Sequence, residues 1–363
     1  MNQAKTIIGL TGNIATGKSV IRRFLANSGA FELDADQIAH RMLYKDGSAY
    51  QSVISAFGKI ILDQDSEISR KKLGNIVFND PIKLALLESL IHPEVTKSIK
   101  NYLKLSSANL AVIEAIKLLE SNLKGLCDVI WVSHASIQSQ LNRLMQIRHM
   151  PEMEARVRIN SQPPQSKKLA AADQIINTET SLKKIWLQVQ TTLNDTIQVK
   201  LSPSLEVAAS KANQVIWHVS DLPLDQLESF WIENSGEDID SLYQHLGMYM
   251  VIPIKKFGIL NALIFWDNWN FTGTLQDIVQ NEHEILSETD LLKAFTSHGL
   301  LQQCEILLIS KLMLSKFKFD PASFEYNQYT LNDLAFTSWR EAGNRLLNNK
   351  STKLWMKVLS PRE

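Results

Sequence analysis

A short apolar run, Thr6-Ile7-Ile8-Gly9-Leu10, leads into Gly12-Asn13-Ile14-Ala15-Thr16-Gly17-Lys18-Ser19, and a helical pattern follows at once. The eight residues satisfy G-x-x-x-x-G-K-[ST], and a strand before with a helix after is the context that gives this spacing physical meaning. Glycines let the main chain curl so that successive N–H groups point inward at phosphate oxygens. The positive end of the helix that starts near Lys18 faces the same oxygens. The Lys18 ammonium reaches the β and γ phosphates of a nucleotide, and the Ser19 hydroxyl is placed to ligate Mg²⁺.

The rest of the first half agrees with such a loop. Residues 31–34, 108–114, 128–133 and 174–177 read as further short strands. Residues 18–28 read as a helix with Val20, Ile21, Phe24 and Leu25 on one face, and helical patterns over 82–90, 136–148 and 182–193 fill the gaps. This succession predicts an α/β fold: a parallel sheet with helices on both faces, three layers in all. A chain of 363 residues suggests two domains. Six of its tryptophans (217, 231, 266, 269, 339 and 355) lie after residue 200, which marks an aromatic-rich second half with its own core chemistry. The boundary is expected near Leu201-Ser202-Pro203-Ser204, dividing the chain into 1–200 and 201–363. Lys+Arg 38 against Asp+Glu 38 gives no support for a nucleic-acid stripe or a polybasic membrane surface. Two cysteines, Cys127 and Cys304, exclude a disulfide scaffold and a Cys-rich zinc site. With no apolar run of about 18 residues, no membrane span is expected, and Met1 to Leu10 lacks the apolar core of a secretory signal. Cytoplasm is the expected location.

The loop alone says only that a nucleotide binds. A GTPase would need a guanine-reading N-K-x-D, which the first half lacks. A motor or transporter ATPase would need a clear hydrophobic run ending in Asp, for which Val112-Ile113-Glu114 is the one near candidate. Small-molecule kinases remain. Asp34-Ala35-Asp36 ends the second strand, where parallel sheets bind ligands. Residues two apart in extended chain point the same way, so both carboxylates can face one site and accept a hydroxyl proton or help hold Mg²⁺. The structural alternative is a helix N-cap, with Asp34 the better candidate of the two.

At this point the residues resemble the dephospho-CoA kinase family. Gly9 to Ser19 followed by Asp34-Ala35-Asp36-Gln37-Ile38-Ala39-His40 carries the likeness. So do Arg70-Lys71-Lys72-Leu73-Gly74, Leu90-Ile91-His92-Pro93 and a lid-like Gln140-Leu141-Asn142-Arg143-Leu144-Met145. Gln162-Pro163-Pro164-Gln165 and Ala172-Asp173-Gln174-Ile175-Ile176-Asn177 extend it, so that about residues 5–195 are covered. The resemblance implies a P-loop kinase fold with a helical lid and phosphorylation by ATP of the ribose 3′-hydroxyl of dephospho-CoA. It implies Asp36 as the group that takes or orients the hydroxyl proton, Lys18 and Ser19 on phosphate and metal, and Arg143 and Arg148 closing over the phosphates. Asp34 and Glu114 would help hold the acceptor. Another acceptor, or a nucleotide-gated regulatory protein, stays open as an alternative. The sequence departs from the family at Asn13 and Ala15, where glycine is usual. The cradle survives there if neither residue needs φ > 0. Residues 114–120 lack the family's proline. His92, before Pro93, is expected to end a helix and to have no catalytic part.

The second half carries no nucleophile motif. Residues 214–219, 248–254, 260–266 and 304–309 read as strands, the middle two paired. Helices are expected over 224–232, over 286–298 with Ser287 as cap, and over 339–347. The order is similar to GCN5-related acetyltransferases. That family binds pyrophosphate on a glycine-rich loop, where this chain has Gln280-Asn281-Glu282-His283-Glu284-Ile285. A carboxylate about 4 Å from a phosphate is repelled by roughly 4 kcal/mol near a protein surface. This half is therefore expected to be an α+β, acyltransferase-like, non-catalytic module whose partner the sequence does not name.

Overall fold

A computed structural model describes residues 5–198, 218–256, 259–281, 287–310, 313–314, 325–347 and 353–359. The boundary expected near Leu201, most of the strand expected over 214–219, and Glu282 to Ile285 lie outside the described residues. The chain falls into two compact units, each assembled from several stretches. The first comprises Met1–Glu32, Ala108–Asp267 and Leu275–Gln302; the second comprises Leu33–Ser107, Asn268–Thr274 and Gln303–Glu363.

The first unit is built on the parallel sheet. The strands of that sheet are β1 (Thr6–Thr11), β2 (Phe31–Asp34, whose last two residues are counted in the second unit), β3 (Leu110–Glu114), β4 (Val129–His134) and β5 (Gln174–Asn177), in the order β2-β3-β1-β4-β5. β1 runs parallel to β3 and β4, and β4 parallel to β5. Ile8, Leu10, Val112, Ile113 and Trp131 are fully buried, as expected of strands covered on both faces. The helix α1 (Lys18–Asn27) follows the loop, and α9 (Leu182–Gln198) follows β5. Three helices, α6 (Ile137–Gln146), α7 (Glu152–Asn160) and α8 (Gln165–Ala170), lie in sequence between β4 and β5.

The apolar core of this unit continues past residue 200. Ile8, Phe24, Leu25, Trp186 and Val189 share one cluster with Leu227, Trp231, Tyr243, Leu246 and Phe265. The second group comes from α10 (Leu224–Ser235), α11 (Ile239–Met248) and the antiparallel pair β6 (Met250–Lys256) and β7 (Ile259–Trp269). α1 therefore buries more than the single face its periodicity predicts: Arg22, Arg23 and Asn27 are buried along with Ile21, Phe24 and Leu25. Asn27 Nδ2 donates to Leu246 O at 2.9 Å and Tyr249 O at 3.0 Å, and Val251 N donates to Asn27 Oδ1 at 2.8 Å. One side chain thereby closes the end of α11 and the start of β6. The helix α12 (Glu288–Leu301) has Ser287 as its N-cap, with Asp290 N donating to the hydroxyl at 3.2 Å.

In the second unit, α2 (Ala35–Met42), α3 (Tyr50–Phe57) and α4 (Arg70–Val77) precede the long α5 (Pro81–Leu105). Pro93 lies inside α5, so His92 does not end a helix as expected. Pro93 removes one hydrogen bond, but the buried stripe Ile91, Val95 and Ile99 straddles it and pins both segments to one surface. His92 itself is exposed. The first residues of β8 (Thr272–Gln280) run parallel to β9 (Ile306–Ser310), which pairs antiparallel with β11 (Lys353–Val358), and that with β10 (Asn327–Thr330). The helix α13 (Thr337–Leu347) packs Trp339, Ala342 and Leu347 against Ile306, Leu308, Leu354 and Met356. Among the described residues, no helix is long and apolar enough to cross a membrane.

Candidate active site

The loop between β1 and α1 has little room for side chains. A Cβ on Gly12 would lie 2.2 Å from Ser133 Oγ and 2.9 Å from Ser133 O, so β4 admits only glycine there. Gly17 caps α1 in the left-handed region at φ 86°, and a Cβ on it would meet Thr178 at 3.0 Å. Asn13 keeps negative φ. Ala15 has φ 57°. The cradle thus does place a non-glycine residue in the left-handed region, at a cost of about 1–2 kcal/mol.

Neighbouring groups hold the loop in this shape. Thr16 Oγ1 donates to Asn13 O at 2.8 Å and pairs with Ser133 Oγ at 2.6 Å. Lys18 Nζ donates to Asn13 O at 3.0 Å. Ile14 N donates to Gln162 Oε1 at 2.7 Å, and Asn13 Nδ2 to Pro163 O at 3.0 Å. The buried Lys168 ammonium, on α8, donates to Ile116 O at 2.7 Å and Gly12 O at 3.3 Å. Ile14 and Ala15 pack on a small core of Leu141, Leu144, Ala155 and Ile159 from α6 and α7. The tip of the loop is therefore seated in the three-helix insertion.

Arg143 lies in the same place. Its guanidinium donates to Ala15 O and Thr178 Oγ1, both at 3.0 Å, and to Thr178 O. Partial burial draws its pKa below the usual arginine value. Arg143 braces the phosphate loop, and Arg148 is exposed in the turn after α6. Glu179 holds the start of α6, receiving Ser136 N at 3.1 Å and the hydroxyls of Ser136 at 2.5 Å and Ser139 at 2.6 Å. Those donors pull its carboxyl down to about 2.

Glu114, at the end of β3, is buried, and Arg22 Nε lies 2.7 Å from its Oε2. Arg22 also meets Glu32 at 3.4 Å, Glu32 meets Arg23 at 3.1 Å, and Arg23 meets Asp267 at 2.7 Å. A line of alternating charge, buried up to the partly exposed Asp267, thus runs from the strand expected to face the acceptor, through α1, to β7. Nothing local in sequence marks these pairs: Arg22 and Glu114 stand 92 residues apart and Arg23 and Asp267 stand 244 apart.

Asp34 and Asp36 belong to the second unit. Asp34 is the N-cap of α2, accepting Gln37 N at 3.0 Å, which is the structural role foreseen for it. Asp36 is exposed in the first turn of that helix, with His40 one turn on and also exposed. Ser19 is exposed in the first turn of α1. Mg²⁺ takes few protein oxygens and completes its octahedron with water and phosphate, so one such hydroxyl beside the loop is a fitting donor. No cluster of three or more histidine, cysteine or carboxylate groups forms a metal site among the described residues.

The family profile described as dephospho-CoA kinase matches residues 6–184. A dephospho-CoA kinase from Carboxydothermus hydrogenoformans is 42% identical over 190 residues, covering 52% of this chain and 92% of that protein. One from Streptomyces avermitilis is 38% identical, covering 50% and 89%. A solved dephospho-CoA kinase from Campylobacter jejuni is 25% identical, covering 54% of this chain and all of that one at a TM-score of 0.42. With the loop, its bracing insertion and a relative matched over nine-tenths of its length, this chain belongs to the dephospho-CoA kinase family.

Proposed function

We propose that this chain transfers the γ-phosphoryl group of ATP to the 3′-hydroxyl of dephospho-CoA, giving CoA and ADP. The observation that carries the reading is the phosphate loop, held by Gln162, Lys168 and Arg143 in a curve that Gly12 and Gly17 alone permit. Main-chain N–H groups of the loop, the start of α1 and the Lys18 ammonium take the triphosphate. Ser19 would hold Mg²⁺, which supplies neutralisation of phosphate charge. Asp36 accepts the proton of the 3′-hydroxyl as that oxygen bonds to the γ-phosphorus and the bond to the β-phosphate oxygen breaks. Such a transfer needs positioning and charge stabilisation more than covalent help. Arg148 answers the phosphate charge from the turn after α6. Arg143 keeps the loop in register, and Glu114 acts through Arg22 on α1.

We assign residues 201–363 an acyltransferase-like arrangement without catalysis of its own. The described order supports it: helix α10, antiparallel β6 and β7, central α12, then β9 and α13. The test is ADP release by the full chain with ATP and Mg²⁺. It should require dephospho-CoA, vanish in Lys18→Ala, and fall about 100-fold or more in Asp36→Asn, the usual contribution of a positioned base. ADP release indifferent to dephospho-CoA overturns the acceptor.

A further inference from the structure

The buried face of α2 is held by residues that lie far along the chain. Asp36 and His40 are exposed one turn apart, whereas Ile38, Arg41 and Met42 are buried. Arg41 is ion-paired with Glu305, both groups about nine-tenths buried, and Glu305 also accepts Trp339 Nε1 at 2.9 Å. The Arg41 guanidinium lies 5.4 Å from the centre of the Phe271 ring, and it donates to Asn270 O at 3.4 Å. Phe271 in turn stacks on Tyr102 of α5, with ring centres 4.0 Å apart and planes 23° from parallel. Just past the helix, the Tyr44 hydroxyl bonds Glu341 of α13.

The tip that meets Arg41 is strained. Asn270 and Phe271, between β7 and β8, have φ of 49° and 64°. Two-residue hairpin turns with both φ positive favour Asn-Gly, and a bulky residue at the second place is unfavourable on backbone grounds. Strain of this kind persists where the surroundings over-determine the conformation. Here the surroundings are Arg41 and Tyr102.

We propose that Phe271 and Glu305 are positioning residues for the phosphoryl transfer. They fix the rotation and tilt of α2 through Arg41, and so the aim of the Asp36 carboxylate at its amino end. The inference rests on the assignment of Asp36 as the group that takes the acceptor proton. At 100° per residue, Asp36 and Arg41 lie on different faces of α2, so the clamp acts without touching substrate.

The experiment compares the full chain with Phe271→Gly and Glu305→Gln, by thermal melting and by steady-state ADP release with ATP and dephospho-CoA varied in turn. Phe271→Gly is informative because glycine suits the turn while the stack and the cation contact are lost. The expected result is a folded protein with KM for ATP within about twofold and kcat reduced about tenfold or more, the scale of a misaimed catalytic group. A Phe271→Gly variant with unchanged kcat overturns the proposal, as does a loss that follows the unfolded fraction alone. If Glu305→Gln fails to fold, Phe271→Gly decides by itself. Absence of dephospho-CoA-dependent ADP release from the unaltered chain is a different failure: it removes the acceptor assignment on which the proposal stands.

Discussion

Ala15 sits at φ 57° in the tightest part of the phosphate loop, where its methyl packs beside Leu141 and Leu144. Glycine would relieve the backbone but lose that contact and gain freedom in the unfolded chain. Ala15→Gly should therefore leave stability within about 1 kcal/mol of the unaltered protein, the opposing terms being of similar size. Ala15→Val should be worse by about 2 kcal/mol or more, because a β-branched residue is an outlier at positive φ. The same variant should raise KM for ATP, since the cradle must open to admit it. Urea denaturation and ADP-release kinetics check the two parts. The loop itself was legible in sequence because its chemistry is local: eight consecutive residues carry it. The groups that brace it were not. Lys168, Gln162 and Thr178 come from chain more than 140 residues on, and no periodicity announces a lysine that bonds Gly12 O and Ile116 O.

Elements buried on both faces were legible for the same physical reason that they are buried. β1, β3 and β4 are near-continuous apolar runs, and β5 over Gln174–Asn177 is where the pattern puts it. β8 and β10 read poorly because Thr272-Gly273-Thr274 and Asn327-Gln328-Tyr329 take their strand character from neighbours rather than from hydrophobicity. α5 was read as short because a proline in mid-helix is a strong stop signal, yet one missing hydrogen bond is outweighed by a shared buried stripe. α12 carries an electrostatic consequence that its sequence hides. His298, in its last turn, would ordinarily be favoured as a cation by the helix end. Burial wins, with His218 as a second unfavourable neighbour, and lowers its pKa to about 3 from 6.5. His218 is lowered too, again by burial first. The unfolded chain protonates His298 below about pH 6.5 while the folded chain resists until about pH 3, so the unfolded state binds more protons across that window, and His218 acts in the same direction. Stability is therefore complete above that window and declines as pH falls through it, by up to about 1.4 kcal/mol per pH unit for each fully resistant histidine. Urea midpoints at pH 7 and pH 5 measure the decline. His298→Phe should flatten it, and an equal slope in that variant would remove the assignment.

At the scale of the molecule, the core of the kinase sheet in this chain includes residues beyond the segment matched by its relatives. The Carboxydothermus protein is matched over 92% of its length by about the first half of this chain. In this chain α1 and α9 share a core with Leu227, Trp231, Tyr243 and Phe265. Arg23 completes its charge balance on Asp267, and Asn27 is bonded to backbone groups at 246, 249 and 251. Each large apolar side chain fully buried is worth about 1.5–3 kcal/mol, and a whole domain is stable by only about 5–15 kcal/mol. Cutting the chain after residue 200 would uncover several such residues and leave Arg23 and Asn27 buried partners short. The shortened chain should then be insoluble or melt more than about 10 °C below the full protein, a shift that a few kcal/mol suffices to produce. Size-exclusion chromatography and thermal melting test this directly. A monomeric 1–200 fragment with an unchanged melting temperature would mean that the shared core adds nothing to the kinase sheet. The expected loss would mean that residues beyond 200 are part of the same folded unit, with α1 holding the phosphate loop at one end and the segment from Leu227 to Phe265 along its side.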